Sequence, residues 1–204
     1  MAKSALVVLH QGFEEIEAVT PIDVLRRGGV KITTASCSDS LDVEGKSGIT
    51  IKADALLKDV ADNTYDGLIL PGGPGVEKAL QNESLIELIR TQYTANRWIG
   101  AICAAPLLLD KAGVLEEHRF TAHASVHDQF SGRALNQRVV VDHPLITSPG
   151  PGTATAFAFA LLTALESPQK AREVAISIHW YPKQDWQAKA ITPNSRPPFE
   201  KISQ

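Results

Sequence analysis

The chain is poor in several things, and each shortage excludes a class of protein. Cysteine is scarce: Cys37 and Cys103 are the only two among 204 residues, too few for a disulfide framework. Charge of one sign is missing as well. Twenty Lys and Arg against 23 Asp and Glu leave a formal net charge of −3, which offers no electrostatic footprint for nucleic acid or an anionic membrane. No apolar run approaches the roughly 20 residues needed to span a bilayer. The opening "MAKSALVVLHQG" has no long apolar stretch followed by a cleavage site and reads as a first strand rather than a signal peptide. On that reading the expected location is the cytoplasm, with both cysteines as free thiols. Internal repeats are lacking. Six histidines are present, yet His10, His118, His143 and His179 show no metal-ligand spacing with cysteine or acid, so no metal and no cofactor are expected.

What is present is an ordinary globular balance, 44% hydrophobic and 21% charged, enough to bury a full core. Short apolar runs alternate with helical patterns. "ALVVLH" reads as a buried strand. "EEIEAVTPIDVLRRGG" has acids in its first turn, arginines in its last and two glycines as a stop, which is helix polarity matched to the macrodipole. Pro21 is expected to kink it. "VKITTAS" reads as a second strand and "GITIKAD" as an edge or hairpin strand. "YDGLILPGGPG" is a buried strand entering a turn, and "VEKALQNESLIELIRTQYTANR" has helical periodicity. "WIGAIC" then reads as a strand, "AAPLLLDKAG" as a helix, "RFTAHA" as a strand, "QRVVVDHPLITS" as a hairpin and "GPGTATAFAFALLTALESP" as the start of a long buried helix. Such alternation predicts an α/β fold, a mostly parallel central sheet with helices on both faces. Residues 1–180 are expected to form one domain. Residues 181–204 form a polar, proline-containing tail.

Chemistry in such folds concentrates where strands end at their carboxyl edge. Cys103 sits there, between an apolar strand and an alanine-rich helical run. Backbone N–H groups and a helix dipole at that junction favour a thiolate of lowered pKa; the alternative is a buried packing cysteine. "LPGGPG" ends the neighbouring strand, and the amides of Gly72 and Gly73 with that of Ala104 are the candidate oxyanion donors, or an ordinary tight turn. Glu17, flanked by Ile16 and Ala18, is the candidate carboxyl in an apolar cleft beside the thiol, able to pass it a proton. Glu14 and Glu15 read as solvated acids favouring a helix start. His123 is a candidate base or orienter, or a partly buried histidine. His127 receives no role.

In order and spacing, "ALVVLHQGFEEIEAVTPIDVLRRGG", "YDGLILPGGPG", "GAIC" followed by "AAP", and "TSPGPGTATAFAFALL" resemble the ThiJ/PfpI superfamily, in particular its DJ-one/YajL-like branch, over about residues 3–178. The resemblance implies a flavodoxin-like three-layer sandwich, usually a cytoplasmic homodimer, with an oxidation-sensitive cysteine. It places the reactive cysteine on Cys103, its protonated glutamate partner on Glu17, the pocket glycine on Gly73 and the amide after the cysteine on Ala104. The family histidine near the thiol falls on His123. Asp23 and Arg27 match a pair that meets across the dimer in relatives. Two family arginines are absent: the one on the hairpin falls at about Ser47, the one before the GPG turn at Pro149. The peptidase branch, with histidine directly after the cysteine, is excluded by Ala104. Class I glutamine amidotransferases are excluded because no histidine is followed two residues on by glutamate. The expected function is cofactor-independent, cysteine-dependent detoxification of small 2-oxoaldehydes, of the glyoxalase or deglycase type. The alternative is a peroxide-sensing protein or redox-regulated chaperone whose cysteine is oxidised to sulfinate.

Overall fold

The structure is a computed structural model that describes residues 2–132 and 134–180; the expectation for the 181–204 tail lies outside the described residues. In chain order the elements are β1 (Ser4–Leu9), α1 (Glu15–Arg27), β2 (Lys31–Ser36), β3 (Asp42–Glu44), β4 (Thr50–Lys52), β5 (Ala55–Leu56), α2 (Leu57–Val60), β6 (Gly67–Leu70), α3 (Val76–Ala79), α4 (Glu83–Thr94), β7 (Trp98–Ile102), α5 (Pro106–Lys111), β8 (Val140–Asp142), β9 (Leu145–Ser148), α6 (Ala154–Leu165) and α7 (Pro168–Ser177). Seven strands form one sheet in the order β5-β2-β1-β6-β7-β9-β8. All neighbours are parallel except β8, which pairs antiparallel with β9 at the edge. β3 and β4 make a separate antiparallel hairpin.

Strand periodicity builds the three layers. Successive side chains point to opposite faces, so each central strand feeds two cores. Leu6 and Val8 of β1, Leu68 and Leu70 of β6, and Ile99 and Ala101 of β7 pack on one face with Leu85, Ile86 and Ile89 of α4 and Leu108 and Leu109 of α5. Ala5, Val7 and Leu9, with Ile69 and Ile102, pack on the other with Leu25 of α1, Phe157 and Leu161 of α6 and Val174 of α7. Near-continuous apolar strands follow from burial on both faces.

Four local expectations change in the structure. α1 is continuous across Pro21, whose ring is buried. The stretch after Gly75 is two helices rather than one, because the Asn82 side chain accepts from Leu85 N–H at 3.1 Å and starts α4 afresh. α7 is a separate element, begun by the Ser167 side chain accepting from Lys170 N–H. "RFTAHA" is no strand. Its backbone donors go to other partners: Thr121 N–H to Thr147 Oγ1 at 2.9 Å and His123 N–H to the Cys103 carbonyl at 2.8 Å.

Chain order runs from β1 outward to β2 and β5, then returns to β6 and outward the other way to β7. The reversal between β1 and β6 opens a crevice at the carboxyl edge, where ligands settle in open α/β sheets. Three connections converge on it: β1 to α1, β6 to α3 and β7 to α5.

Candidate functional site

Cys103 follows β7 with φ = +65°, a left-handed conformation that is uncommon for a residue with a Cβ and costs on the order of 1–3 kcal/mol. Surrounding bonds hold it there. Cys103 N–H donates to the Ser148 carbonyl at 2.8 Å, its own carbonyl accepts from His123 N–H, and Ala105 N–H donates to the Ile102 carbonyl at 3.0 Å. The sharp turn lifts the thiol into the crevice, in the manner of a nucleophile elbow. The amides of Gly73 and Ala104 both bond to the sulfur and favour its anion.

Gly73 brings its amide there because its backbone takes φ = +102°, and a Cβ would lie 2.5 Å from the Gly12 carbonyl oxygen and 2.7 Å from Glu14 N. The Gly72 amide is committed elsewhere. It donates to Glu17 Oε2 at 2.8 Å, so Gly72 positions the glutamate and leaves oxyanion donation to Gly73 and Ala104.

All three acids after β1 are buried, Glu14 and Glu15 included, against the reading of those two as solvated. Glu14 is the N-cap of α1, its Oε2 accepting from Glu17 N–H at 2.8 Å. Glu15 Oε1 accepts from Ser47 N–H at 2.6 Å and so ties the β3–β4 loop to α1. Glu17 is fully buried. Its Oε1 has no partner of ordinary hydrogen-bond geometry, and the Cys103 thiol is the side chain that interacts with its carboxyl.

Burial raises the Glu17 carboxyl to about 7, with the Glu14 charge adding to the rise and Lys46 opposing it. The Cys103 thiol is pushed up to about 12, first by burial and then by the Glu17 charge, against the pull of the Gly73 and Ala104 amides. The expected lowering of the thiol is therefore not found: burial sets Cys103 above the ordinary cysteine value. Burial outweighs the two amides, and α5, at six residues, contributes no long dipole. Glu17 and Cys103 titrate as one unit. With the carboxyl at about 7 and the thiol at about 12, the proton that leaves near pH 7 is that of Glu17. Transfer of the thiol proton to the Glu17 carboxylate then gives a thiolate beside a neutral acid, which removes the charge repulsion.

A cavity of about 610 Å³ opens over the sulfur, lined by Cys103, Gly73, Ala104, His123, Lys46 and Glu14 among others. His123 is exposed and caps a 3-10 turn over Ala124–Gln129 through Nδ1, which accepts from Ser125 N–H at 3.2 Å. With Nδ1 an acceptor, the neutral ring carries its proton on Nε2, so the ring presents a donor. Pro151 lines the cavity beside the Pro149 position. Cys37 lies apart, and burial pushes its thiol up to about 12. Asp23 and Arg27 bond to each other within one helix, Arg27 Nε to Asp23 Oδ2 at 2.7 Å.

Sequence reading missed two contributors. Lys46 is one; its only signal is proximity to the hairpin glycines. His10 is the other. It is buried at the end of β1, with Nε2 3.2 Å from the Pro71 carbonyl oxygen, and burial holds its ring below the ordinary histidine value. It thereby supports the turn that aims Gly72 and Gly73. Among the described residues, no three His, Cys, Asp or Glu side chains converge as a metal-binding group, and no helix is long and apolar enough to cross a membrane.

Residues 3–164 match the model of the DJ-1/PfpI family. Protein dj-1beta of Drosophila melanogaster is 40% identical over 179 residues, 86% of this chain and 96% of the relative. Glutathione-independent glyoxalase DJR-1.2 of Caenorhabditis elegans is 40% identical over 176 residues, 84% of this chain and 94% of the relative. The solved structure of oxidized Toxoplasma gondii DJ-1 superposes with a TM-score of 0.85 at 34% identity, covering 89% of this chain and all of the other.

Proposed function

The chain belongs to the DJ-1/PfpI family, and from that premise we propose that it is a cysteine-dependent glyoxalase acting on small 2-oxoaldehydes, without a cofactor, in the cytoplasm. The observation that carries this reading is the Cys103–Glu17 pair, a thiol facing two backbone amides and a buried carboxyl raised to about 7, beneath a cavity. A relative 40% identical carries the name of a glutathione-independent glyoxalase, and this supports the same chemistry.

The thiolate of Cys103 attacks the aldehyde carbon of methylglyoxal and forms the carbon–sulfur bond of a hemithioacetal. The amides of Gly73 and Ala104 receive the new oxyanion, which then takes a proton. Glu17 removes the proton from the former aldehyde carbon and returns one to the neighbouring carbon, while the hydroxyl proton on the first carbon passes to the former ketone oxygen, so that the ketone becomes an alcohol and the hemithioacetal a thioester. Water cleaves the thioester to lactate and frees the thiolate. The balance is one methylglyoxal plus one water to one lactic acid, with oxidation at one carbon matched by reduction at its neighbour, and no external oxidant enters. His123, with its ring proton on Nε2, serves as a donor to substrate oxygen rather than as the base.

Turnover of methylglyoxal with lactate resolved by chirality tests this. Wild type is expected to yield predominantly one enantiomer and Cys103→Ser none; a racemic product, or equal turnover by the variant, overturns it. A second reading, a peroxide sensor, draws on the same sulfur: its two amides and Glu17 would also hold a sulfinate, and a relative has been solved as the oxidized protein. A wild-type protein that forms sulfinate but turns over no methylglyoxal would favour the sensor.

A further inference from the structure

The cavity over Cys103 contains one lysine, and its backbone is fixed from two sides. Lys46 lies in the loop joining β3 to β4 and lines the cavity with its side chain 42% exposed. Its N–H donates to the Phe13 carbonyl at 2.8 Å, and Gly12 N–H donates to the Glu44 carbonyl at 2.8 Å. On the other side Ser47 N–H donates to Glu15 Oε1 at 2.6 Å. Burial works to raise the Glu15 carboxyl, but the N–H groups of Glu15, Ser47 and Ile49 together hold it below the usual carboxylate range. It is a fixed anion gripped by the loop. Gly45 makes the close approach possible, since a Cβ there would fall 2.5–2.8 Å from the Glu15 carboxyl.

The Lys46 ammonium is not consumed by this arrangement. Its acidic neighbour is Glu14, at a long 4.0 Å, and the other oxygen of Glu14 is committed to the first turn of α1. An ammonium has three donors, so capacity is left for an anion in the cavity. The remaining charged group on the wall is Glu77, which is exposed to solvent and correspondingly screened. Behind the loop the Glu15 carboxylate is taken up by the N–H groups it accepts from, and beneath the cavity Glu17 is neutral until about pH 7.

We propose that Lys46 is the charge-selecting residue of the Cys103 cavity, favouring small carbonyl compounds that carry a carboxylate over neutral ones. This rests on the reading of the cavity as a 2-oxoaldehyde site, and it deepens that reading by naming a substrate class: 2-oxoaldehydes that also carry a carboxylate, such as 4,5-dioxopentanoate.

Alkylation of Cys103 isolates charge selection from catalysis. Iodoacetate and iodoacetamide attack the same thiolate and differ in charge. The ratio of their rates cancels any change in thiolate fraction. Lys46→Met is expected to lower the iodoacetate-to-iodoacetamide ratio at Cys103 by about three- to fivefold, the scale of one partly exposed charge contact. Lys46→Arg is expected to restore it. In turnover, Lys46→Met is expected to raise KM for 4,5-dioxopentanoate, a 2-oxoaldehyde with a carboxylate, several-fold more than KM for methylglyoxal. An unaltered alkylation ratio in Lys46→Met overturns the inference whatever the turnover shows. A lowered ratio with no turnover of either aldehyde by wild type sustains the role of Lys46 as charge selector and removes the enzyme reading alone.

Discussion

At the scale of single residues, the decisive feature is the buried Glu17 carboxyl set against the Cys103 thiol. Neither group alone explains reactivity at neutral pH: burial raises both. Glu17 loses its proton near pH 7, and its carboxylate is then the base that can take the proton of the neighbouring thiol. Alkylation of Cys103 by iodoacetamide is therefore expected to rise with a midpoint near pH 7 and level off, while Cys37, pushed up to about 12 by burial alone, stays inert through that range. Glu17→Gln offers sulfur a permanent donor and no competing anion, so alkylation should persist in this variant at neutral pH. Glyoxalase turnover should fall by about 10²- to 10⁴-fold, because an amide cannot move protons. Mass spectrometry of both cysteines across pH reads the first effect and lactate release the second. If Cys103 and Cys37 gain reactivity together only at alkaline pH, the assignment of Glu17 as that base is wrong.

At the scale of elements, the wall that carries His123 is held by side chains where a strand ladder was expected. Thr121 N–H donates to Thr147 Oγ1 at 2.9 Å, and both threonines are almost wholly buried. Apolar-polar alternation in "RFTAHA" resembles a strand because the segment is extended and half-buried, yet β8 pairs with the free edge of β9 and leaves it no ladder. Thr147→Val keeps the shape and removes the acceptor, leaving a buried donor unpaired. Urea unfolding is expected to show a loss of about 1–3 kcal/mol. An unchanged midpoint would mean that the bond contributes nothing. Pro21 teaches a related lesson about α1: packing of Ala18, Val24 and Leu25 into the core keeps the helix continuous across a residue that on its own favours a break.

At the scale of the whole molecule, an exposed apolar surface remains beside the site. Ile16 and Val19 on α1 are 53% and 46% exposed, and Ile49, at the far end of the loop gripped by Glu15, is 57% exposed. These side chains, on one helix and its attached loop, are the expected association surface. A homodimer through α1 is expected, in agreement with the resemblance to dimeric relatives. Arg27 and Asp23 bond to each other within the chain, so the apolar residues, more than this pair, should carry the association. Light scattering is expected to give a dimer for wild type at micromolar concentration and a shift toward monomer for Val19→Asp. A monomeric wild type would refute the surface assignment.

Composition and periodicity alone determined the α/β class, the parallel order of strands and helices and the placement of Cys103 at a carboxyl edge, because burial on both faces forces apolar strands and glycine-rich turns into the chain itself. Glu17 was legible from its apolar flanks, and Gly73 and Ala104 from the turns they occupy. Partners distant in the chain were not. That Gly72 donates to Glu17, 55 residues away, that Glu15 grips Ser47, and that His10 supports Pro71 follow from which turns meet at the crevice between β1 and β6. Local sequence does not encode that meeting. The separation of three neighbouring glutamates into a helix cap, a loop anchor and a proton carrier was likewise decided by tertiary structure. Glu14 precedes the first turn as its extended cap, while Glu15 and Glu17, two positions apart, leave α1 in directions about 200° apart, and so each meets a different part of the fold.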